Sequence, residues 1–323
     1  MWTLIWLVSS IFGGDNLEET DRLAPPGWKG NAWGPEATRL RADGTIPPFQ
    51  RSESMRQWDA WGKKHVRDGD ILFRLGDAKI LRGYVPMSRF LANVSGSVFS
   101  HTGIAAIEGG EVMVYDTTSL GVRRQPLCVW VLDNIGPFGV KRVKPEYAPY
   151  AAKAVAYCRD LFQKQTPFDY ELNPDDAQLY CVEMCEKAYR NNGLPLAPPV
   201  LLGDMENATQ FPICIMSFLQ FTNLTLELPV YFPGNERHGI WSSPALMTVF
   251  APPGGVTAKV KRSVGSAWAN PSVDPVTGIS SVPDPTAAPD APVNTRGARN
   301  TSRAPASRAA DPKTAARQPA QRP

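Results

Sequence analysis

Two hydrophobic periods alternate along the middle of the chain. Residues 66–75 read as a turn, through Gly69-Asp70, opening into a core strand, Ile71-Leu72-Phe73. Val98 to Ile107 is a second apolar run with strand character. Glu108-Gly109-Gly110 then marks a turn, and Glu111 to Asp116 runs back, which together read as a β-hairpin. Gly121-Val122-Arg123-Arg124 and Phe138 to Val143 add two short strands. A period near 3.6 appears elsewhere. Ser54–Lys64 places Met55, Trp58 and Trp61 on one side, and Pro149–Gln163 aligns Ala151, Ala154, Val155, Cys158, Leu161 and Phe162. The third such stretch starts at Cys181: Val182, Met184, Cys185, Ala188 and Tyr189 recur at helical spacing, and Asn191-Asn192-Gly193 stops it. The expected class is α+β, with a small antiparallel sheet packed against helices.

The remaining stretches are less regular. Gly76 to Gly96 is a long connection with a short helix expected within Ile80–Leu91. Pro195 to Gly203 reads as extended. Phe211 to Phe232 reads as strand and buried loop, and Leu224-Thr225-Leu226-Glu227-Leu228 alternates like an edge strand. The folded domain is expected over residues 54–250. Ahead of it, residues 15–53 are rich in turns and read as a linker or surface wrap, although Trp28 and Trp33 call for burial. Residues 1–14 open with MWTLIWLVSSIF, shorter than the ~20 apolar residues of a membrane span. It has a signal-like apolar core but no basic residue before it. An export signal or anchor and a packed N-terminal element both remain open.

The chemistry gathers at Cys181. A helix start offers unpaired N–H groups and a positive dipole end, which favour a thiolate there. Three histidines are available as its base: His65, His101 and His238. His101 sits in the hairpin, and pairing across the turn brings Asp116 near its level, so that a carboxylate can orient the imidazole. Glu111 is the other acid on that strand. Nucleophile, base and orienter make an activated-thiol site. His65 and His238 lie in polar, turn-like surroundings and read as surface residues. Five cysteines at scattered positions make no disulfide framework. Cys181 and Cys185 are four apart, but no second Cys or His pair stands at zinc-ligand spacing. Cys158 and Cys185 read as core, and Glu183 as a carboxylate suited to the helix dipole.

The order Gly69-Asp70-Ile71-Leu72-Phe73, then Ser100-His101-Thr102-Gly103-Ile104, then Tyr180-Cys181-Val182-Glu183 resembles the permuted NlpC-type papain-fold cysteine hydrolases of the YiiX/YebB kind. In that family a "GDI-aromatic" strand comes first, an "SHxGI" strand supplies the base, an acid follows, and a "YCxE" helix brings the nucleophile last. Phe168-Asp169-Tyr170 is similar to a further segment of the family, with its letters shifted. The resemblance spans about Asp68 to Gly193. It implies a permuted papain-like fold, catalysis by Cys181, His101 and Asp116 through an acyl-enzyme, and no metal or cofactor. Ser100 and Tyr180 are the candidates to line the oxyanion and substrate site. This sequence departs from the family in its third member, where Glu or His is common and Asp116 is shorter. The implied reactions are hydrolysis of cell-wall peptides or acyl-amino compounds, or lipid acyl transfer. A binding module that lost activity is the reading from another class.

Composition alters one part of this picture. The chain has 323 residues, 31 prolines and a net charge of +3. Residues 254–323 carry ten Lys and Arg against four Asp and Glu, a net +6, with few large apolar residues. This reads as a disordered basic tail, and the remainder is then about −3. Expected partners are a peptide, acyl-amino or lipid-like substrate, with an anionic membrane or cell-wall surface for the tail and no nucleic acid. Arg82 and Arg89 beside the cleft meet either an acidic substrate group or solvent. Cell envelope or export is the expected location, with the cytoplasm as the alternative.

Overall fold

The computed structural model describes residues 33, 35–46, 48–79, 85–172, 175–222, 224–260 and 264–273. The elements in chain order are α1 (Pro35–Ala42), α2 (Glu53–His65), β1 (Ile71–Arg74), α3 (Met87–Ser95), β2 (His101–Glu108), β3 (Glu111–Thr118), β4 (Gly121–Pro126), α4 (Leu127–Trp130), β5 (Phe138–Val143), α5 (Ala148–Gln163), α6 (Cys181–Arg190), β6 (Val200–Leu201), α7 (Pro212–Thr222), β7 (Pro229–Val230), β8 (Leu246–Phe250), β9 (Ala258–Lys259) and β10 (Ser272–Val273). Six of the strands form one antiparallel sheet in the order β4-β3-β2-β1-β5-β8. Helices cover both of its faces, which makes the fold α+β. Among the described residues, no helix is long and apolar enough to cross a membrane.

Strand alternation decides what each face holds. Ile71, Phe73, Ile104, Ala106 and Tyr115 point to one side and pack with Ala154, Val155 and Cys158 of α5 and Met184, Cys185 and Ala188 of α6. Leu72, Ala105, Val112, Val114 and Val140 point to the other and pack with Trp58 and Trp61 of α2 and Trp130 of α4. Full burial of one such apolar side chain contributes about 1.5–3 kcal/mol. Helix α2 is capped by Ser52, whose Oγ accepts the Met55 N–H at 3.2 Å, and its last turn carries Lys63, Lys64 and His65, which suit the negative dipole end.

Two glycines of the motifs are required by close approach. Gly69 has φ +78°, and a Cβ there would lie 2.6 Å from that of Ala151 on α5. The Tyr189 hydroxyl of α6 donates to the Gly69 carbonyl, which ties the turn before β1 to the helix of Cys181. At Gly103, a Cβ would meet Val114 Cγ1 at 2.7 Å and the Tyr115 carbonyl at 3.0 Å. This glycine lets β3 lie flat against β2 at the level of Asp116.

Several elements differ from the sequence expectation. Phe211–Phe232 was expected as strand and buried loop, but Pro212–Thr222 is a helix. The run is apolar on every side, so no period separates helix from strand. Leu224–Leu228 alternates yet forms a turn, with the Leu228 N–H on the Thr225 carbonyl, and the strand is the short β7 after it. The helix expected within Ile80–Leu91 is Met87–Ser95, ended by Gly96 at φ +71°; residues 80–84, Arg82 among them, lie outside the described residues. Strand β2 starts at His101 rather than Val98. Within 15–53, α1 forms, and Trp33 meets Phe49 edge-on at 4.6 Å beside the second cluster. The chain also continues in order past Phe250. Phe90 of α3 stacks on Trp268 at 4.9 Å, and Asn93 Nδ2 donates to the Ala269 carbonyl at 2.9 Å. Residues 1–32 and those beyond 273 lie outside the described residues, and with them the apolar N-terminal segment and most of the basic tail.

Candidate active site

One buried row of polar side chains runs across four adjacent strands. Arg74 on β1 is registered against His101 on β2, and Asp116 on β3 against Arg123 on β4. Gly103 lies between His101 and the level of Asp116, so the imidazole reaches the carboxylate diagonally across the space a side chain would fill. His101 Nε2 is 2.7 Å from Asp116 Oδ2. Asp116 is fully buried, and each of its oxygens has partners. Arg123 Nε donates to Oδ1 at 2.7 Å, Arg123 Nη2 to Oδ2 at 2.9 Å, and the Trp130 indole N–H to Oδ2 at 2.7 Å. Arg74 lies 4.4 Å over the Trp130 ring and donates to the Trp130 carbonyl at 2.6 Å. Asp133 balances the two arginines, at 3.4 Å from Arg74 and 3.7 Å from Arg123. Two buried cations thus face two buried anions, the condition under which interior charge is tolerated.

Cys181 closes the chain of contacts from the other side. It is the first residue of α6, and its carbonyl accepts the Thr102 hydroxyl at 3.2 Å, which ties the helix start to β2 next to His101. The thiol is partly exposed and forms a side-chain hydrogen bond with His101. Asp116 occupies Nε2, which leaves Nδ1 to face the sulfur. Burial opposes a charge on His101, and Arg74 opposes it too. Cys181 and the hydrogen bonds to Asp116 and the thiol outweigh both, and the imidazole pKa is pushed up to about 10. Burial also works against ionised Asp116, but the charge and hydrogen bonds of Arg123, with those of His101, hold it well below the usual carboxylate range.

The other sequence candidates fall into place around this core. Ser100 lines the same cavity as Cys181 and His101, and its Oγ accepts the Gly76 N–H at 3.1 Å. The Tyr180 hydroxyl points elsewhere, accepting the Tyr231 N–H at 2.6 Å, and Tyr180 is absent from the cavity wall. Glu111 pairs with Arg51 at 2.8 Å and Lys63 at 3.1 Å instead of with the histidine. Glu183 is buried. Burial raises its pKa to about 7 against the opposing ion pair with Lys187 at 3.0 Å, and Asp169 adds to the rise. Its carboxylate reaches back to the Tyr180 N–H and caps the nucleophile helix. His65 stacks beside Trp61, and His238 bonds Glu206 at 2.9 Å, both away from the thiol. Cys158 and Cys185 are buried, and burial raises both thiols.

Sequence reasoning missed Arg74, Arg123, Trp130 and Asp133. A signal for the two arginines exists. Arg74 ends the apolar run Ile71-Leu72-Phe73, and Arg123 adjoins Val122 in a strand that must face a helix. A charge at an inward strand position requires a buried partner. Nothing local marks Trp130 or Asp133, which reach the site through α4 and the turn after it.

A family model described as "Permuted papain-like amidase enzyme, YaeF/YiiX, C92 family" matches residues 65–248. The solved structure of metalloprotein yiiX from Escherichia coli O157:H7 is similar at 21% identity and a TM-score of 0.49, over 58% of this chain and 98% of that one. Among the described residues here, no group of three or more His, Cys, Asp or Glu gathers as a metal site. No curated protein matches the chain. The family match covers more than half of the sequence, from the last residue of α2 into β8, and the chain belongs to the permuted papain-like amidases of the YaeF/YiiX, C92 family.

Proposed function

We propose that the chain is a thiol amidase that cleaves amide bonds through an acyl-enzyme on Cys181. The observation that carries this reading is the continuous contact from Arg123 through Asp116 and His101 to Cys181. In the proposed cycle His101 holds the proton of the thiol, and the sulfur attacks the carbonyl carbon. The N–H of Cys181, first in α6 and without an intrahelical acceptor, faces the developing oxyanion. The imidazolium then protonates the leaving amine, and a carbon–nitrogen bond breaks as the thioester remains. Water, deprotonated by His101, hydrolyses the thioester and restores the thiol. Asp116 keeps the histidine in one tautomer and orientation throughout.

An acceptor other than water would make the same thioester an acyltransferase intermediate, and this is the second reading. A peptide substrate at the cell envelope, with the basic tail on an anionic surface, is the version that the motifs favour. Intact-mass labelling with an electrophilic acyl-type thiol probe is the test, on wild type, Cys181→Ala and His101→Ala. One adduct that requires both residues is the expected result. No adduct, or one indifferent to His101, would overturn the thiol reading and leave a binding module.

A further inference from the structure

We infer that the side-chain hydroxyl of Thr117 is the second donor to the oxyanion, beside the N–H of Cys181. The inference rests on the amidase reading above and adds a catalytic residue to it. Thr117 is 1% exposed, and its Oγ1 has no hydrogen-bond partner among the described residues. A buried hydroxyl in that state costs stability, and such groups are rare outside sites that another molecule enters. Thr117 lines the cavity of about 210 Å³ that Cys181 and His101 also line. Strand alternation places it there. Tyr115 and Thr117 stand on the face of β3 that packs against α5 and α6, and Asp116 between them stands on the other. Counting on by two residues from the Ile104–Tyr115 pair brings Thr102 level with Thr117. Thr102 is the residue whose hydroxyl reaches the Cys181 carbonyl at 3.2 Å. Thr117 therefore flanks the start of α6, where the carbonyl of an amide must meet the sulfur.

An oxyanion hole works through donors that are in place before the charge develops. The other polar side chains at the site are engaged or unsuited. The Tyr180 hydroxyl is turned to Tyr231. Tyr170 donates to the Ser119 carbonyl at 3.1 Å, Thr222 donates to the Phe218 carbonyl at 2.8 Å, and Lys79 pairs with Asp77 at 3.1 Å. Asp169 is a carboxylate that accepts the Glu171 N–H at 2.9 Å, and an ionised carboxylate has no proton to offer an anion. Ser100 is partly exposed, so water can meet its hydroxyl. Of the described hydroxyls that line the cavity, Thr117 alone is buried with no partner. As the sulfur attacks, the carbonyl π electrons move to oxygen, and the Thr117 O–H donates a hydrogen bond to it while keeping its proton. When the adduct collapses, the C=O bond re-forms, the carbon–nitrogen bond breaks, and the amine takes its proton from His101.

Two reagents for Cys181 separate this role from packing. Chloroacetamide alkylates the thiolate by displacing chloride from a methylene carbon, and no oxyanion forms. p-Nitrophenyl acetate is attacked at its carbonyl, passes through an oxyanion and releases p-nitrophenolate. In the full chain, Thr117→Val should slow acylation on the order of 10²-fold and leave alkylation within about twofold of wild type. Thr117→Ser, which keeps a hydroxyl, should recover most of the acylation rate. The melting temperature of Thr117→Val should not fall, because a hydroxyl without a partner gives the fold nothing. Equal losses of both reactions, unchanged acylation, or a Thr117→Ser variant as slow as Thr117→Val would overturn the oxyanion role and leave the amidase reading standing. Wild-type alkylation and acylation that are both indifferent to His101 would overturn both.

Discussion

Trp130 and His101 bind the same oxygen: each has a ring nitrogen 2.7 Å from Asp116 Oδ2, and their rings lie 5.9 Å apart at 33°. With Arg123 Nη2 also donating to that oxygen and Arg123 Nε to the other, the carboxylate is held in one orientation. Trp130→Phe should keep the stack on Arg74 and lose only the donor. The expected result is a several-fold fall in kcat/KM and a stability loss of about 1 kcal/mol. Steady-state kinetics with chemical denaturation tests it; an unchanged kcat/KM would show that the indole only fills space.

Asp116→Asn replaces an acceptor-only group by one that must present an amide N–H to a site built of donors. It also leaves Arg74 and Arg123 with Asp133 as the remaining carboxylate of the cluster. Activity should fall by on the order of 10²–10⁴ without vanishing, and stability by about 3–5 kcal/mol. Glu111→Ala, on the same strand, should leave the rate near wild type, because its partners are Arg51 and Lys63. The opposite ranking in a kinetic comparison would mean that the orienting acid is wrongly assigned.

The pH dependence of His101 has a definite sign. Its folded pKa of about 10 stands above the ordinary 6.5. The imidazolium therefore contributes stability that is fully present below 6.5 and is lost as pH rises through about 10. The alkaline limb of kcat/KM is expected near pH 10. Thermal melts should show wild type losing more stability between pH 8 and 10.5 than His101→Ala does, and parallel curves would contradict the assignment.

Glu183 titrates with the same sign over a lower window. Its pKa of about 7 lies above the ordinary 4.5, so the folded protein holds the proton more tightly, and stability falls as pH rises from about 4.5 through 7. Glu183→Gln should flatten that part of the melting-temperature profile. Equal slopes for both proteins between pH 4.5 and 7 would show that another group carries the effect.

Gly103→Ala places a methyl against Val114 and the Tyr115 carbonyl. The strands must part, at a cost of about 1–3 kcal/mol, and Asp116 moves with β3. The rate loss is expected to exceed that of Ala105→Gly, a neighbouring change without a clash. Comparable kinetics for the two would remove the role assigned to this glycine.

Much of the architecture was legible where one period dominated. The helix of Met55, Trp58 and Trp61 and the helix after Pro149 each bury one face and expose the other, while the hairpin around Gly109-Gly110 and strand Phe138–Val143 are buried on both faces and are marked by short apolar runs between turns. Cys181 at a helix start was readable from the turn before it and the apolar recurrence after it, and His101 from the strand–turn–strand pattern of the hairpin. Helix α7 was not, since the run from Pro212 to Thr222 is apolar in every direction.

What the sequence determined by itself is local: the periods, the turns, the glycines that motifs place at close approaches, and a thiol at the first turn of a helix. These follow from sterics and burial within a few residues of each position. The tertiary structure alone decided that Asp116 is shared by His101, Arg123 and Trp130, that Tyr180 points to Tyr231 and away from the thiol, and that α3 and α7 close over Cys181 to form one cavity. Those are pairings between residues far apart in the chain. They depend on strand order and on helix placement across the sheet, which no local pattern encodes.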